Sequence, residues 1–164
     1  MPDFRIRTYR PDDLPFFREM EFTTTWATLS PEERARLSPE EIREALEATH
    51  AALLERPGMA IFVAETEAGE RAGLLWFGQN RNLVTGETEG WIYNVSVARK
   101  WQGRGLGQQL MEYGEAHARA AGYQTLGLMV ASHNETAQRL YQRLSFRTTN
   151  LIMRKRLAGD HHRR

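Results

Sequence analysis

The 164-residue chain contains no cysteine, and this absence removes several kinds of chemistry. Without thiols there is no disulfide, no thiolate metal site and no cysteine acyl-enzyme, so any covalent intermediate needs another nucleophile. No metal site is predicted. Long apolar runs are also missing: the run at 73–77 is far shorter than the roughly 18 to 20 residues of a membrane-spanning helix. We therefore expect no span through a bilayer.

A large excess of charge of one sign is absent as well. The 22 basic and 21 acidic residues leave a formal net charge of +1, which does not indicate nucleic acid or an anionic membrane as a partner. Residues 1–5 show no basic segment followed by an apolar stretch, so no secretory signal is readable and a cytoplasmic location is expected. With no repeat or long linker, we expect one domain over residues 1–157 and a charged tail at 158–164.

The apolar spacing predicts alternating strands and helices. Ser38-Pro39-Glu40-Glu41 has the capping-box pattern that starts a helix. The order is strand, two helices, three strands, helix, strand, helix, strand, which indicates an α/β (α+β) domain with a mixed, mostly antiparallel sheet flanked by helices. The predicted strands are 4–8, 59–65, 72–77, 91–97, 123–130 and 146–156, and the predicted helices run through 16–20, from 38 to 57, over 103–121 and from 134 to 144.

A glycine-rich segment follows the strand that ends at Val97. It reads Gln102-Gly103-Arg104-Gly105-Leu106-Gly107 and continues directly into a helix. Glycines let backbone N–H groups approach a phosphate, and the helix N-terminus adds a partial positive charge. We expect an anion site here, with a ligand-free turn as the alternative. The dinucleotide fingerprint requires glycine where Gln108 stands, and the P-loop requires Gly-Lys-Ser/Thr, so neither fits.

Two groups of residues stand in a recognisable order. Gln102, Gly105 and Gly107 follow a strand, and a later group comprises Asn134, Ala137, Leu140, Tyr141 and Phe146. Together they resemble the GNAT superfamily of acyl-coenzyme A-dependent N-acyltransferases, whose signature is Gln/Arg-x-x-Gly-x-Gly/Ala after a strand. The resemblance extends over nearly the whole chain. Ser145 departs from the pattern, which usually has glycine there, and we expect the change to affect only the end of the helix.

The resemblance implies acetyl-coenzyme A (acetyl-CoA) as the acyl donor. Backbone groups near Val95 and Val97 are expected to pair with its pantetheine arm as if it were an added strand. Asn134 and Ala137 are expected to contact the same donor, although Asn134 is equally suited to capping its helix. The pyrophosphate is expected at the N–H groups of Gln102, Gly103, Arg104, Gly105, Leu106, Gly107 and Gln108. The cation for the adenosine phosphate is left open among Arg99, Lys100, Arg104, Arg139 and Arg143.

The same resemblance implies that Tyr141 donates a proton to the departing sulfur, with simple packing on its helix as the alternative. A phenol, whose pKa is ordinarily about 10, stays protonated at neutral pH. The proton acceptor is open. The family often uses a glutamate on the strand before the glycine segment or relays the proton through water. The resemblance therefore makes Glu89, which is expected to share a strand face with Trp91, a candidate, with a solvated loop carboxylate as the alternative. His133 is a further candidate, whereas His117 is expected in the core.

We therefore expect an enzyme that moves the acetyl group of acetyl-CoA to a primary amine of a small molecule or peptide by direct attack in a ternary complex. The alternative is a non-catalytic GNAT-like sensor or scaffold that binds acyl-CoA. The acceptor is unknown. Glu87 and Glu89 favour a cationic amine, and a homodimer through the C-terminal strands is an open alternative. Four aromatic residues are either core or lining of an acceptor pocket: Trp26, Trp76, Trp91 and Tyr93.

Overall fold

The computed structural model describes residues 3–157, so the charged tail predicted at 158–164 lies outside the described residues. The chain divides into two compact units, one up to Ser132 and the other from His133. The single domain over 1–157 stays a prediction. Within residues 3–157, no helix is both long enough and apolar enough to cross a membrane.

The first unit contains a five-stranded sheet. Its strands lie in the order of the chain, and neighbours are antiparallel except for the last two, which are parallel. The mixed, mostly antiparallel sheet confirms the predicted fold class. The strands are Phe4–Thr8 (β1), Ala60–Thr66 (β2), Arg71–Arg81 (β3), Thr88–Val97 (β4) and Leu126–Leu128 (β5). The strand predicted at 123–130 is thus reduced to three residues.

Four helices belong to this unit: Leu14–Thr28 (α1), Pro31–Arg36 (α2), Pro39–Leu53 (α3) and Leu106–Ala120 (α4). Helices α1, α3 and α4 agree with the sequence prediction, whereas α2 is an additional helix. Ser30 and Ser38 cap α2 and α3 in the same way, each hydroxyl accepting from the backbone N–H of the glutamate three residues later. The Ser-Pro-Glu-Glu pattern therefore occurs twice, and both copies start a helix.

Alternate side chains of β3 face different helices. Trp76 packs in one apolar cluster with Phe17 of α1. On the other face, Phe77 lies 4.7 Å from His117 of α4, measured between ring centres. Because successive side chains of a strand point to opposite faces, α1 and α4 cover opposite sides of the sheet.

A buried carboxylate joins the start of α1 to the sheet. Asp13 is fully buried and accepts hydrogen bonds from Arg7 (2.7 Å), from Arg71 (2.6 Å) and from the backbone N–H of Arg10 (2.7 Å). Burial alone raises a carboxyl pKa, but these donors outweigh it and hold the pKa of Asp13 well below its usual range. This network connects β1, β3 and the N-terminal end of α1.

Between residues 133 and 157, the described part of the second unit, there is one helix, Glu135–Arg143 (α5). Phe146 N–H donates to Tyr141 C=O (2.9 Å), and Ser145 N–H donates to Gln142 C=O (3.0 Å). These two bonds form a Schellman motif, whose C′ residue takes a left-handed conformation. Ser145 has the required positive φ of 67°. It occupies the position at which the family pattern usually has glycine.

The closing strand predicted at 146–156 is wrong. Of the residues described after α5, through 157, none is in a strand. Residues 151–153 are apolar, as in many strands, yet all three are exposed. A strand exists only where a neighbouring strand accepts and donates its backbone hydrogen bonds, and composition does not provide that neighbour.

Candidate functional site

The edge of β4 next to β5 is open over part of its length. β5 pairs with β4 only at residues 90–92. Farther along, Ala98 N–H donates to Ala72 C=O on the other side (2.8 Å). Because the direction of backbone hydrogen bonds alternates along an antiparallel pair, the backbone groups of Val95 and Val97 point away from β3. This is the edge where the family resemblance implies a pantetheine arm.

A β-bulge marks the point where the edge opens. The register with β3 passes from Ile92 to Asn94 and skips Tyr93, so β4 carries one extra residue there. Bulges bend a strand and disrupt its pairing locally. The bulge therefore coincides with the end of the pairing between β4 and β5.

The glycine segment connects the end of β4 to α4. Gln102 Nε2 donates to the backbone carbonyl of Val97 at 3.0 Å. Gly103 and Gly105 have positive φ values of 74° and 79°, and a Cβ on either glycine would meet no atom within 4 Å. Gly105 is the N-cap of α4 and accepts the first helical hydrogen bond, from Gln109 (3.1 Å).

This geometry leaves six consecutive backbone N–H groups, residues 103–108, without an acceptor in the described part of the chain. The last three belong to the first turn of α4, whose N–H groups have no partner within the helix. The positive end of the helix dipole lies at the same place. The segment therefore fits a pyrophosphate, as the sequence predicts.

The positive side chains near the segment differ in their partners. Lys100 forms an ion pair with Glu70 at 2.8 Å. The guanidinium of Arg104 lies 5.0 Å from the ring centre of Trp101. Neither Arg104 nor the exposed Arg99 has an ion pair with a residue in the described range. Arg99 and Arg104 are therefore better placed than Lys100 to pair with an added phosphate at this segment.

Glu89 is a buried residue of β4. It is 8% exposed and accepts a hydrogen bond from Asn80 Nδ2 at 3.2 Å. A Cβ on Gly127 would lie 2.6 Å from the ring of Trp91 and 3.5 Å from Glu89 Oε1, so Glu89 and Trp91 share a face. The alternative of a solvated loop carboxylate does not hold.

A second buried carboxylate escaped the sequence analysis. Glu21 of α1 is 6% exposed and accepts a short hydrogen bond from Asn94 Nδ2 of β4. Its other oxygen lies 3.3 Å from His50 Nε2 of α3. The hydroxyl of the half-buried Thr24 lies 3.4 Å from Asn94 Oδ1. The cluster thus joins three elements next to the bulge.

The sequence does contain a signal for this cluster. Glu21 follows the core residue Phe17 by four positions, and His50 follows Leu46 by four. Residues four apart lie on the same face of a helix, so each polar side chain interrupts an apolar stripe. That interruption is the pattern that indicates a buried polar contact.

His50 also reaches the protein surface. It lines a groove between α1 and α3. Arg18 and Glu47 form an ion pair across this groove at 2.7 Å. The guanidinium of Arg43 lies 3.8 Å above the ring of Phe22 in the same wall.

Two buried polar atoms lack a partner on the same side of the sheet as Glu21. They are Trp76 Nε1 and Ser96 Oγ, unpartnered among residues 3–157. The Trp76 ring lies 5.6 Å from that of His50 and stacks on Tyr93 at 5.0 Å. Buried polar groups without a protein partner are usually satisfied by ordered water or a ligand.

The remaining predicted site residues belong to α5, in the second unit. Asn134 Oδ1 accepts from Ala137 N–H at 3.1 Å, so Asn134 caps the helix. Tyr141 is half-buried, its ring lies 5.9 Å from that of Phe146, and burial raises the pKa of its phenol. Arg139 forms an ion pair with Glu135 at 3.3 Å.

No group of three His, Asp or Glu side chains suited to a metal ion occurs in the portion of the chain that is described.

Residues 20–146 match the sequence model of the acetyltransferase (GNAT) family. This match covers well over half of the chain, and the chain therefore belongs to the GNAT family.

Two curated relatives have similar sequences. YdgE of Bacillus subtilis (strain 168), described as an uncharacterized N-acetyltransferase, is 36% identical over 92 residues. Those residues are 56% of this chain and 57% of YdgE. The mycothiol acetyltransferase of Nocardiopsis dassonvillei is 39% identical over 88 residues, which are 52% of this chain and 27% of that enzyme. The matched segments thus cover less than two thirds of either relative.

Solved structures share the fold. A protein of Pyrococcus furiosus superposes with a TM-score of 0.82 at 22% identity, covering 94% of this chain and 100% of that one. The aminoglycoside N-acetyltransferase AAC(6')-Iy, solved in complex with CoA, gives 0.69 at 16% identity, covering 96% of both chains. At these identities the likeness is one of fold.

Proposed function

We propose that this protein is an N-acetyltransferase that transfers the acetyl group of acetyl-CoA to a primary amine of a small molecule or peptide. Acetyl-CoA supplies an activated thioester, and the protein binds it, orients it and moves the protons. Family membership supports acyl transfer in general. The observation that carries the proposal is the open edge of β4, which leads into six backbone N–H groups without acceptors.

The donor side of the proposal uses backbone groups. Val95 presents its N–H and C=O groups to the open edge and Val97 its N–H group, and a pantetheine amide is able to pair there as a strand does. The Val97 carbonyl already accepts from Gln102. The N–H groups of 103–108 bind the pyrophosphate at the helix N-terminus. We assign the adenosine phosphate to Arg99 and Arg104, which have no ion pair to give up among the described side chains. Asn134 and Ala137 are proposed to contact the same donor, as the family resemblance implies.

Proton transfer is proposed to involve one phenol and one carboxylate. Tyr141 donates to the departing sulfur, and its raised pKa keeps the phenol protonated at neutral pH. The proton acceptor is one of two buried carboxylates, one in β4 and the other in α1 facing β4. The sequence predicts Glu89, and the structure adds Glu21.

The acceptor is proposed to be an amine that is cationic in solution. Glu21, Thr24 and Asn94 place oxygen acceptors close together next to the bulge. An ammonium is a donor of three hydrogen bonds and is matched by such a set. The aminoglycoside N-acetyltransferase AAC(6')-Iy has been solved with the bisubstrate analogue CoA-S-monomethyl-acetylneamine, and we take polycationic amines as the first class to test.

Calorimetric titration tests the donor. We expect acetyl-CoA to bind and neither ATP nor NAD to bind; the reverse result would overturn the assignment. Release of free thiol from acetyl-CoA is then followed with a panel of polyamines, aminoglycosides and basic peptides. Binding of acetyl-CoA without thiol release for any amine would replace the enzyme with an acyl-CoA-binding sensor or scaffold.

We also propose a cytoplasmic location and a homodimer. The exposed apolar residues at 151–153 offer a surface that a second copy is able to cover. Light scattering of the purified protein measures the oligomeric state directly.

A further inference from the structure

Transfer of an acetyl group to a cationic amine releases a proton, and this proton needs an acceptor and a way out of the protein. The inference that follows rests on the proposed function and adds residues for this step. The amine nitrogen forms a bond to the carbonyl carbon, the carbon–sulfur bond breaks, and its electron pair goes to sulfur. An ammonium nitrogen loses two protons on becoming an amide. One proton ends on sulfur, which makes the thiol, and the other leaves for solvent.

We propose that Glu21 accepts the proton that leaves, and that His50 passes it to the groove between α1 and α3. The route follows contacts that exist in the fold. Glu21 is hydrogen-bonded to Asn94 at one oxygen and lies 3.3 Å from His50 Nε2 at the other. His50 lines the groove on the surface.

The position of the pair suits the reaction. Asn94 directly precedes Val95, whose backbone groups face the open edge of β4. The Asn94 side chain extends toward α1 and meets Glu21, with Thr24 beside it. An amine hydrogen-bonded next to Asn94 is therefore adjacent to both the proposed path of the acyl arm and the Glu21 carboxylate.

The chemistry of the pair also suits proton uptake. The hydrogen-bond partners of Glu21 in the described chain are an amide and an imidazole, and neither carries a permanent charge. Asp13 is the contrast, because two arginines bind it and oppose its protonation. An imidazole accepts a proton on one nitrogen and releases one from the other, so His50 is able to conduct a proton onward.

Glu89 has no second titratable group beside it, in the described part of the chain, that could take the proton onward. Its carboxylate accepts from Asn80, and no titratable side chain of residues 3–157 is hydrogen-bonded to it. A proton taken up by Glu89 has no next acceptor in the fold. We therefore assign the exit to Glu21 and His50 in preference to Glu89.

Other charged and titratable groups around the pair are few. On the groove side they are Arg18, Arg43 and Glu47, of which Arg18 and Glu47 are paired with each other. On the sheet side, Tyr93 of β4 stacks on Trp76, which contacts His50.

The test uses the pH dependence of kcat/KM for Glu21→Gln with the best amine of the panel, over pH 6 to 10. At pH 7 we expect a loss of about 100-fold, the size typical of a missing general base. The loss should shrink as pH approaches the pKa of the amine itself, because an amine that arrives neutral has only one proton to lose and sulfur takes it. His50→Gln should show the same shape with about a tenfold loss.

The matched control is His117→Gln. His117 is also partly buried against aromatic rings, but on the opposite face of the sheet, against Phe62 and Phe77. We expect it to keep the pH profile of the parent. Acetyl-CoA affinity and far-UV circular dichroism verify that each variant is folded, and His50→Gln carries the test if Glu21→Gln does not fold.

Several outcomes would overturn the inference. A loss of equal size at every pH means a structural role for Glu21, and the pH-dependent loss appearing in Glu89→Gln instead assigns the proton to Glu89. If the parent releases no thiol with any amine, the proposed function fails and this inference fails with it. If the parent is active and both the Glu21 and His50 variants keep its pH profile, the inference alone fails.

Discussion

The side-chain amide of Gln102 donates a hydrogen bond to the backbone carbonyl of Val97 at 3.0 Å. This contact ties the first residue of the glycine segment to the end of β4. It therefore holds the proposed pyrophosphate site and the proposed pantetheine edge in one arrangement.

Removing the hydrogen bond between Gln102 and Val97 should weaken the binding of acetyl-CoA. For Gln102→Ala we expect acetyl-CoA affinity to fall about 5-fold, because one hydrogen bond contributes about 1 kcal/mol net and 1.4 kcal/mol is tenfold. Gln109→Ala is the control, since Gln109 is an exposed residue of α4 beyond the segment. If calorimetry gives the same acetyl-CoA affinity for both variants, the hydrogen bond between Gln102 and Val97 does not organise the site.

The left-handed conformation of Gly105 should make its replacement by another residue lower the free energy of unfolding. Gly105→Ala forces a side chain to a φ near 79°, which costs roughly 1 to 2 kcal/mol. No atom lies within 4 Å of the added Cβ, so the cost is conformational rather than a clash. Gly105→Asn should lose less, because asparagine tolerates this region better. Urea denaturation ranks the three proteins, and an alanine variant as stable as the parent would contradict the prediction.

Asp13 should be a stability determinant with a defined pH dependence. Asp13→Asn removes the charge between Arg7 and Arg71, and we expect a loss of about 3 kcal/mol in the free energy of unfolding at pH 7. The folded-state pKa of Asp13 lies below its ordinary value of 3.8. Its contribution is therefore fully present above pH 3.8 and is lost as the pH falls toward the folded-state pKa.

The comparison of the two proteins isolates this contribution. In urea denaturation from pH 7 down to pH 3, the parent should lose stability more steeply than Asp13→Asn at the acidic end. Parallel curves for parent and variant would mean that other carboxylates cause the acid sensitivity. Glu47→Gln, at an exposed ion pair with Arg18, should change stability by less than about 1 kcal/mol.

Ser145 offers a stabilising substitution. A non-glycine residue at φ 67° is strained by roughly 1 kcal/mol relative to glycine, and the Schellman hydrogen bonds require that conformation. Ser145→Gly should therefore stabilise α5, and Ser145→Ala should not. Hydrogen exchange of the Phe146 amide reports on this helix end. Slower exchange is expected for the glycine variant alone, and equal rates in all three proteins would refute it.

Tyr141 should be required up to strongly alkaline pH. Burial raises the pKa of its phenol above the ordinary value of 10, so the proposed proton donor stays protonated to a higher pH than an exposed phenol does. Tyr141→Phe should lower kcat about 100-fold across pH 7 to 10. Tyr113→Phe is the control, because Tyr113 is an exposed residue of α4 that packs on Phe62. Unchanged turnover in Tyr141→Phe would remove it from its assigned role.

Local patterns were sufficient for much of the fold. Strand β1, the hairpin of β2 and β3, and helix α3 all follow from alternation, turn residues and caps that lie within a few positions of one another. The glycine segment is equally local, since positive φ values and unpaired N–H groups depend on short-range geometry. The same capping pattern also precedes α2, which was overlooked although Ser30 and Glu33 repeat it.

Long-range pairing decided the rest. Residues 146–156 have a strand-like composition, but no strand forms there because backbone pairing needs a partner that composition does not specify. The contact between Glu21 and Asn94 joins positions 73 residues apart, and that between Glu21 and His50 joins positions 29 apart. Only the packing of α1 and α3 on β4 brings these groups together, because burial and proximity across elements are properties of the assembled sheet and helices. The sequence by itself thus determined the glycine segment that is proposed to bind the donor, and the tertiary structure decided the contact between Glu21 and His50.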